Sequence, residues 1–343
     1  MKGKVVVTES PLQASDVPVA AQHQRNPVTG PEMPYRGVFY PLGFGVEICS
    51  NDRQVLEAAN QVWGQLRPRQ SSAIVQLRIG VGESSSIECP PSPTVRAQRY
   101  LISFIANVEN HATCDLNTGF GFACISRIAL QHRLYFRYHF LEPLVMVLVS
   151  GFCAPALHAA CVGCLGRGIL LCGNSGAGKS TLAYACARAG FTYISDDASY
   201  LLRDSEHPRV AGHSHQVRFR PSSVRFFPEL QGRELTPRLE GKPSIEVPTS
   251  ELPGLITAQE ARVHYLILLK RSPFAAAELR PISIGIALER LHESLFPVAE
   301  IRSLQIAALQ QLATVQAFEF HYWDLDDAVR CLETLARTPE PTA

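Results

Sequence analysis

Residues 168–197 read GILLCGNSGAGKSTLAYACARAGFTYISDD, and this stretch decides the fold. Gly168 to Cys172 is a short apolar run of the kind that forms a strand buried on both faces. Gly173-Asn174-Ser175-Gly176-Ala177-Gly178-Lys179-Ser180 follows at once and matches G-x-x-x-x-G-K-[ST] at every fixed position. Thr181 to Ala189 then has helical character, Gly190 stops it, and Phe191 to Ile194 predicts a second strand with Asp196 and Asp197 at its end. Strand, glycine loop, helix, strand and acid pair make one phosphate-handling unit.

The chemistry follows from the residue types. Glycines let the backbone approach phosphate oxygens closely, and the helix that opens at Lys179 presents unpaired N–H groups and a favourable dipole to an anion. Lys179 adds a full positive charge near the β and γ phosphates. Ser180 offers a hydroxyl to Mg²⁺, and Thr181 lies within reach of the α phosphate. Asp196 and Asp197 stand sixteen and seventeen residues after Ser180, where a parallel neighbouring strand brings carboxylates to the loop. One could hold Mg²⁺ while the other accepts a proton from an attacking hydroxyl. A plain ATPase needs only the first of these roles, whereas a kinase uses both.

Working outward, His158 stands fifteen residues before Gly173 in an apolar segment, LHAACV. By itself it reads more often as a satisfied core histidine than as a functional one, and its place before the loop raises the functional reading. From Pro143 to Leu165 no charged residue intervenes, long enough to span a bilayer as one helix. Pro143, Gly151, Pro155 and Gly163 punctuate it, so the expected division is a helix end over Leu141 to Val149, a turn over Ser150 to Pro155 and a strand over Leu157 to Val162. Cys161 and Cys164 form a lone C-x-x-C with no second pair, and read as buried fillers rather than metal ligands. Ten cysteines mostly in apolar company, and no apolar signal over Met1 to Ser10, predict a reducing, cytoplasmic setting without membrane insertion.

The remaining chain sorts into three expected parts. Residues 1–34 are rich in Pro, Ser and Gln and read as a flexible leader. Residues 35–150 predict a smaller α+β domain with a strand over Gly37 to Ile48, a helix over Arg53 to Leu66 capped by Asn51 or Asp52, and strands at Ala73 to Val81, Arg99 to Val108, Gly121 to Leu130 and Arg133 to Tyr138. Residues 151–338 carry the phosphate loop, with further strands at Gln216 to Arg220, Val263 to Leu269 and Phe318 to Trp323 and a closing helix at Leu325 to Ala336. Over the whole 343 residues, 32 Lys plus Arg nearly balance 31 Asp plus Glu, which argues against a nucleic-acid partner. Seven arginines crowd positions 203–238 (Arg203, Arg209, Arg218, Arg220, Arg225, Arg233, Arg238). A solvated mixed face is the plain reading; Arg218 or Arg220 meeting a phosphate is the sharper one.

The stretch Leu157 to Leu201 resembles the catalytic core of the HPr kinase/phosphorylase family: a His before the loop (His158), the loop itself (Gly173 to Ser180), a helix ending in an Arg/Gly pair (Arg188, Gly190) and a strand ending in Asp196-Asp197. The likeness is nearest to HPr-kinase-related proteins outside sugar-transport regulation, including kinases that modify lasso-peptide precursors. Val217 to Ser222 and Phe227 to Leu230 are similar to that group too. The resemblance implies an α/β P-loop kinase domain similar to HPr kinase and to the nucleotide domain of phosphoenolpyruvate carboxykinase. It further implies transfer from ATP to a serine hydroxyl of a protein, peptide or small molecule, with like subunits assembled as an oligomer. Asp196 would be the general base, and Asp197 would help with metal and with His158. The E-I-R-G-x-G signature has no match, Lys242 being only a rough positional candidate, so neither phosphorylase activity nor HPr as substrate is implied. A nucleotide-binding sensor or assembly module, and a P-loop ATPase, stay open as alternatives.

Overall fold

The structure, a computed structural model, describes residues 32–69, 74–203, 206–237, 239, 242–293, 295 and 299–338. The leader expected over 1–34 lies almost wholly outside the described residues, as does Arg238. The protein is a mixed α/β chain with two main sheets, and it divides into compact units at Leu148/Val149.

The first unit holds strands β1 (Tyr35–Phe39), β2 (Gly45–Ser50), β3 (Ile74–Gly82), β4 (Thr94–Gln98), β5 (Leu101–Ile105), β6 (His111–Asp115) and β7 (Phe120–Ser126) in one sheet of order β1-β2-β3-β7-β6-β5-β4. β2, β3 and β7 run parallel, and the others pair antiparallel. Helix α1 (Arg53–Trp63) makes the crossover from β2 to β3. The Asp52 side chain accepts from Gln54 N at 2.9 Å, and Val55, Ala59 and Val62 bury one face.

Four expected strands in this unit differ from the structure. Gly37 to Ile48 is not one strand: Pro41 lacks an N–H, Leu42 (φ 53°) and Gly43 (φ 81°) are left-handed, and β1 and β2 form an antiparallel pair around them. Arg133 to Tyr138 is helical, comprising α3 (Arg133–Phe136) and a π-helical turn over Arg137–Leu141. The Tyr135 ring stacks on His139 four residues on, at 4.7 Å between centroids, and its hydroxyl donates to Pro91 O at 2.7 Å. A short aromatic run carries no periodicity that separates the two readings. The strand expected to continue to Leu130 likewise stops at Ser126, which caps α2 (Arg127–Gln131). Arg99 to Val108 is expected as a single strand, but Arg99 (φ 52°) is part of the turn joining β4 to β5. α4 (Glu142–Leu148) packs on β3, β6 and β7.

The second unit begins with a π-helical turn (Val149–Cys153) and continues through β8 (Ala156–Leu157), β9 (Ala159–Cys164), β10 (Arg167–Cys172), α5 (Lys179–Arg188), β11 (Thr192–Ser195), β12 (Ser199–Leu201) and β13 (Arg209–Gly212). Next come β14 (Gln216–Phe219), β15 (Leu235–Thr236), β16 (Ser244–Pro248), β17 (Ile256–Thr257), β18 (Glu260–Arg271), β19 (Glu278–Ile282), α6 (Ile284–His292), α7 (Ala299–Gln310), β20 (Gln316–Tyr322) and α8 (Leu325–Arg337). The main sheet runs β17-β11-β9-β10-β18-β13-β12-β8, with β20 between β18 and β19. β10, β18 and β20 are parallel neighbours, and β9 is antiparallel to both β10 and β11, so β11 also runs with β10. Alternation assigns the two faces: Ile169 and Leu171 pack with Leu182, Ala183 and Leu332 of α5 and α8, whereas Leu170 and Cys172 pack with Leu291 and Leu309 of α6 and α7. Coverage on both faces is why GILLC is continuously apolar. A small antiparallel sheet, β14-β16-β15, packs Val217, Phe219 and Val247 against Tyr184 and Tyr193. Among the described residues no helix is long and apolar enough to cross a membrane, and Pro143 to Leu165 is divided among α4, the π turn, β8 and β9.

Candidate active site

The phosphate loop joins β10 to α5. Gly176 (φ 89°) and Gly178 (φ 97°) take left-handed conformations, and a Cβ on Gly178 would stand 2.5 Å from the Tyr322 hydroxyl. That hydroxyl donates to Ala177 O at 3.1 Å, and Ala177 N to Asn174 O at 3.0 Å, which ties the loop to the end of β20. Asn174, Ser175 and Gly176 form the exposed crest, while Gly173, Ala177 and Gly178 are half-buried. No side chain caps the start of α5, so its first N–H groups are available to an anion. Ser180 and Thr181 sit in that first turn.

Lys179 is buried and reaches three acceptors: Gly173 O at 2.7 Å, Asn174 O at 3.3 Å and His158 Nε2 at 2.9 Å. Burial lowers its pKa, against the pull of Asp197. His158 occupies the one-residue gap between β8 and β9, where the chain leaves β12 as partner and joins β10; the expected strand Leu157 to Val162 is broken there. An ammonium donating to Nε2 assigns the proton of a neutral imidazole to Nδ1, the nitrogen that faces Asp197 Oδ1 at 3.4 Å. Lys179, His158 and Asp197 thus form a chain that runs from a buried ammonium to two solvent-exposed side chains.

Asp196 has different surroundings. It is buried, its Oδ2 accepts from Arg218 N at 2.7 Å, and its main-chain carbonyl accepts from Ser180 Oγ at 3.0 Å. Burial, and secondarily the charge of Asp197, push its carboxyl up to about 6, against the lowering influence of Arg218 and Tyr193. Ser195 and Ser199 hold the turn between β11 and β12: their hydroxyls are 2.6 Å apart, and Ser199 Oγ donates to Ala159 O at 2.9 Å.

The Arg218 guanidinium does not stand free for phosphate. Its Nε binds Glu246 Oε2 at 3.0 Å on the neighbouring strand β16, and the Gln216 amide, oriented to satisfy both its atoms, bridges the same pair. Arg220 donates to Lys242 O at 3.3 Å on an exposed edge. Arg209 pairs with Glu260 at 2.5 Å and Arg233 with Glu251. Sequence reading missed Glu246, Gln216, Tyr193 and Tyr322 as supports of the site. Glu246 and Tyr322 lie on elements far along the chain from what they hold, while Tyr193 stands three residues before Asp196 and Gln216 two before Arg218 on β14, neighbours whose side-chain contacts no motif signals. Cys161 is fully buried, and burial raises its thiol pKa; all ten cysteines are free.

Among the described residues no group of three or more His, Cys, Asp or Glu side chains could cage a metal. One hydroxyl (Ser180) and one exposed carboxylate (Asp197) are hard oxygen donors. Such a set suits Mg²⁺, which keeps its waters and shares phosphate oxygens rather than filling an all-protein cage.

No protein-family model matches this sequence, and no curated protein matches it. Among solved structures, the chain is similar to the HPr(Ser) kinase/phosphatase from Coxiella burnetii at 15% sequence identity, over 53% of this chain and 93% of that one, with a TM-score of 0.29. This is a weak structural relation covering about half of the chain.

Proposed function

We propose that this protein is an ATP- and Mg²⁺-dependent phosphotransferase that moves the γ-phosphate of ATP to a serine hydroxyl. The acceptor would be a protein, a peptide or a small serine-like molecule. The observation that carries the reading is the division of labour around the loop: a buried Lys179 linked through His158 to Asp197, and beside it a buried Asp196 whose carboxyl is tuned close to neutrality.

In this reading the loop N–H groups and Lys179 bind the phosphates, Lys179 exchanging its loop carbonyls for phosphate oxygens. Asp196 takes the proton of the acceptor hydroxyl while that oxygen bonds to the γ-phosphorus. The bond from the γ-phosphorus to the β-γ bridging oxygen breaks, leaving ADP. Ser180 and Asp197 would hold Mg²⁺, which when bound neutralises charge on the β and γ phosphates. His158 keeps Asp197 and Lys179 in register. A carboxyl near pH 6 suits a general base, since it is ionised at neutral pH yet basic enough to accept a proton.

The test uses the full chain with Mg²⁺ and γ-labelled ATP, following binding by calorimetry and label transfer to a pool of serine-containing peptides. Lys179→Ala is expected to weaken ATP binding by roughly ten- to a hundredfold, the worth of one charge-assisted bond or two, and to abolish detectable transfer. Unchanged transfer in that variant would remove the loop from the mechanism. Tight ATP binding with neither transfer nor hydrolysis in the native chain would leave a nucleotide-binding module instead.

A further inference from the structure

A second concavity lies on the flank of α5, with a volume of about 820 Å³. Its walls come from α5, from the segment Arg225–Phe227, from Arg271 at the end of β18, and from Trp323 to Asp326 at the start of α8. The chemistry of the lining is unusual for a surface groove. The Arg271 guanidinium lies 5.6 Å from the Phe226 ring centroid and 5.1 Å from that of Trp323. Among the described residues its Nε has no hydrogen-bond partner, so aromatic rings rather than a carboxylate hold it. Arg271 and Trp323 form a cation–π pair in the wall, and Trp323, packed at 5.8 Å by the Phe274 ring as well, keeps 40% of its surface exposed. Asp324 and Asp326 in the same wall disfavour a second anion and supply acceptors for an amino group.

The topology says what reaches this place. The phosphate loop follows β10, and Asp196 follows β11, which stands two positions to one side of β10; β18 and β20 stand on the other side with their ends at the same edge. A ligand whose terminal phosphate points at Asp196 therefore extends its other end toward β18 and β20. Along α5, Thr181, Ala185 and Arg188 follow at i, i+4 and i+7 and share one face. At about 1.5 Å of rise per residue, Ala185 lies about 6 Å beyond Thr181. Thr181 is in the first turn beside the loop, and Ala185 and Arg188 line the concavity. The loop is also tied to it covalently, because Tyr322, which holds Ala177, immediately precedes Trp323.

We propose that this concavity is the nucleoside subsite, receiving the amino-bearing purine base and sugar of the nucleotide whose phosphates sit in the loop, with Trp323 and Arg271 as its stacking faces. The inference rests on the phosphate-loop reading above, and binding measurements with two probes separate the two. Calorimetry with Mg²⁺ is run on the full chain with ATP and with inorganic tripolyphosphate, which has the phosphates and no base. ATP is expected to bind more tightly than tripolyphosphate. Trp323→Ala and Arg271→Met are each expected to weaken ATP by roughly five- to a hundredfold, the range for losing one stacking face, and to move tripolyphosphate by no more than about twofold.

Trp323 supplies an independent readout, since the chain has 2 tryptophans and the other, Trp63, is buried in the first unit. ATP should change the emission, tripolyphosphate should not, and Trp323→Phe should lose the change while still stacking the base. Equal affinity for the two probes, or variants that bind ATP like the native chain, would overturn the subsite and leave the loop reading intact. Variants that keep ATP affinity but lose peptide transfer would make the concavity an acceptor groove and overturn it equally. If neither probe bound the native chain, the loop reading would fall and the subsite with it.

Discussion

Asp196 and Asp197 are neighbours in the chain and opposites in environment. Asp196 is buried beside Tyr193 and the Arg218 main chain, with the Arg218–Glu246 pair next to it. Asp197 lies on the open rim with His158 and exposes about half of its side chain, 53%. Both stand in the bend that follows β11, and there one acidic dipeptide supplies both a dry carboxyl and a wet one. A dry carboxyl resists ionisation and becomes a base near neutrality; a wet one stays charged and suits a cation. Environment, rather than residue type, separates the two roles.

The sharpest way to break the contrast is to neutralise each carboxylate in turn. Asp196→Asn is expected to lower turnover by a factor on the order of 10² to 10⁴ while leaving the affinity for Mg-ATP nearly unchanged, as loss of an aligned base does. Asp197→Asn should act chiefly on Mg-ATP affinity, with a smaller loss of turnover. Steady-state kinetics on both variants checks this, and a reversed pattern, with Asp197 carrying the turnover loss, would exchange the two assignments.

A smaller effect should be visible in the pH profile. With Asp196 up at about 6, turnover should fall roughly tenfold per pH unit on the acid side of that value and level off above it. The limb belongs to the dry carboxyl, so it should disappear in Asp196→Asn and persist in Asp197→Asn. A limb near 4 in the native chain would mean that burial does not raise the Asp196 carboxyl.

How legible this site was depends on whether its parts lie close along the chain. The strand, loop, helix, strand and acid pair run within thirty residues, and each is enforced locally, by left-handed glycines, helix periodicity and an apolar strand. By spacing alone His158 was an ambiguous histidine, because its place lies in a change of strand partner that spacing does not encode, and it gained meaning only from the family resemblance. The backing of Asp196 was illegible: Arg218 follows 22 residues later, and Glu246 a further 28, joined by an antiparallel pairing of β14 with β16 that local pattern cannot announce. The sharper of the two sequence readings of the arginines gave Arg218 or Arg220 to a phosphate, beside the plain one of a solvated face; the Arg218 main-chain N–H holds Asp196, and its guanidinium pairs with Glu246. In the first unit the same limit produced a strand where Tyr135 and His139 stack along a helix. Short aromatic runs take their secondary structure from what they pack against.

The smallest expected effect is on stability, and its sign is the informative part. Between the ordinary carboxylate value of 3.8 and about 6, the folded chain keeps a proton on Asp196 that the unfolded chain has released. More protons bound in the folded state mean that stability is full below the lower value, falls as pH rises through this window, and stays flat above it. Two pH units correspond to at most about 3 kcal/mol, a net figure in which the lowering influence of Arg218 is already counted. An asparagine carries no charge to bury, and its side-chain oxygen still accepts from Arg218 N. Asp196→Asn is therefore expected to be more stable than the native chain by about 1–2 kcal/mol at pH 8 and equally stable near pH 3.5. Urea unfolding of both proteins at the two pH values measures the difference. The variant that loses most activity would then be the one that gains stability, as happens where a carboxylate is held against its own solvation for the sake of chemistry. Should Asp196→Asn instead be the less stable protein at pH 8, Arg218 would more than compensate the buried charge, and Asp196 would be an ion-paired structural residue rather than a poised base.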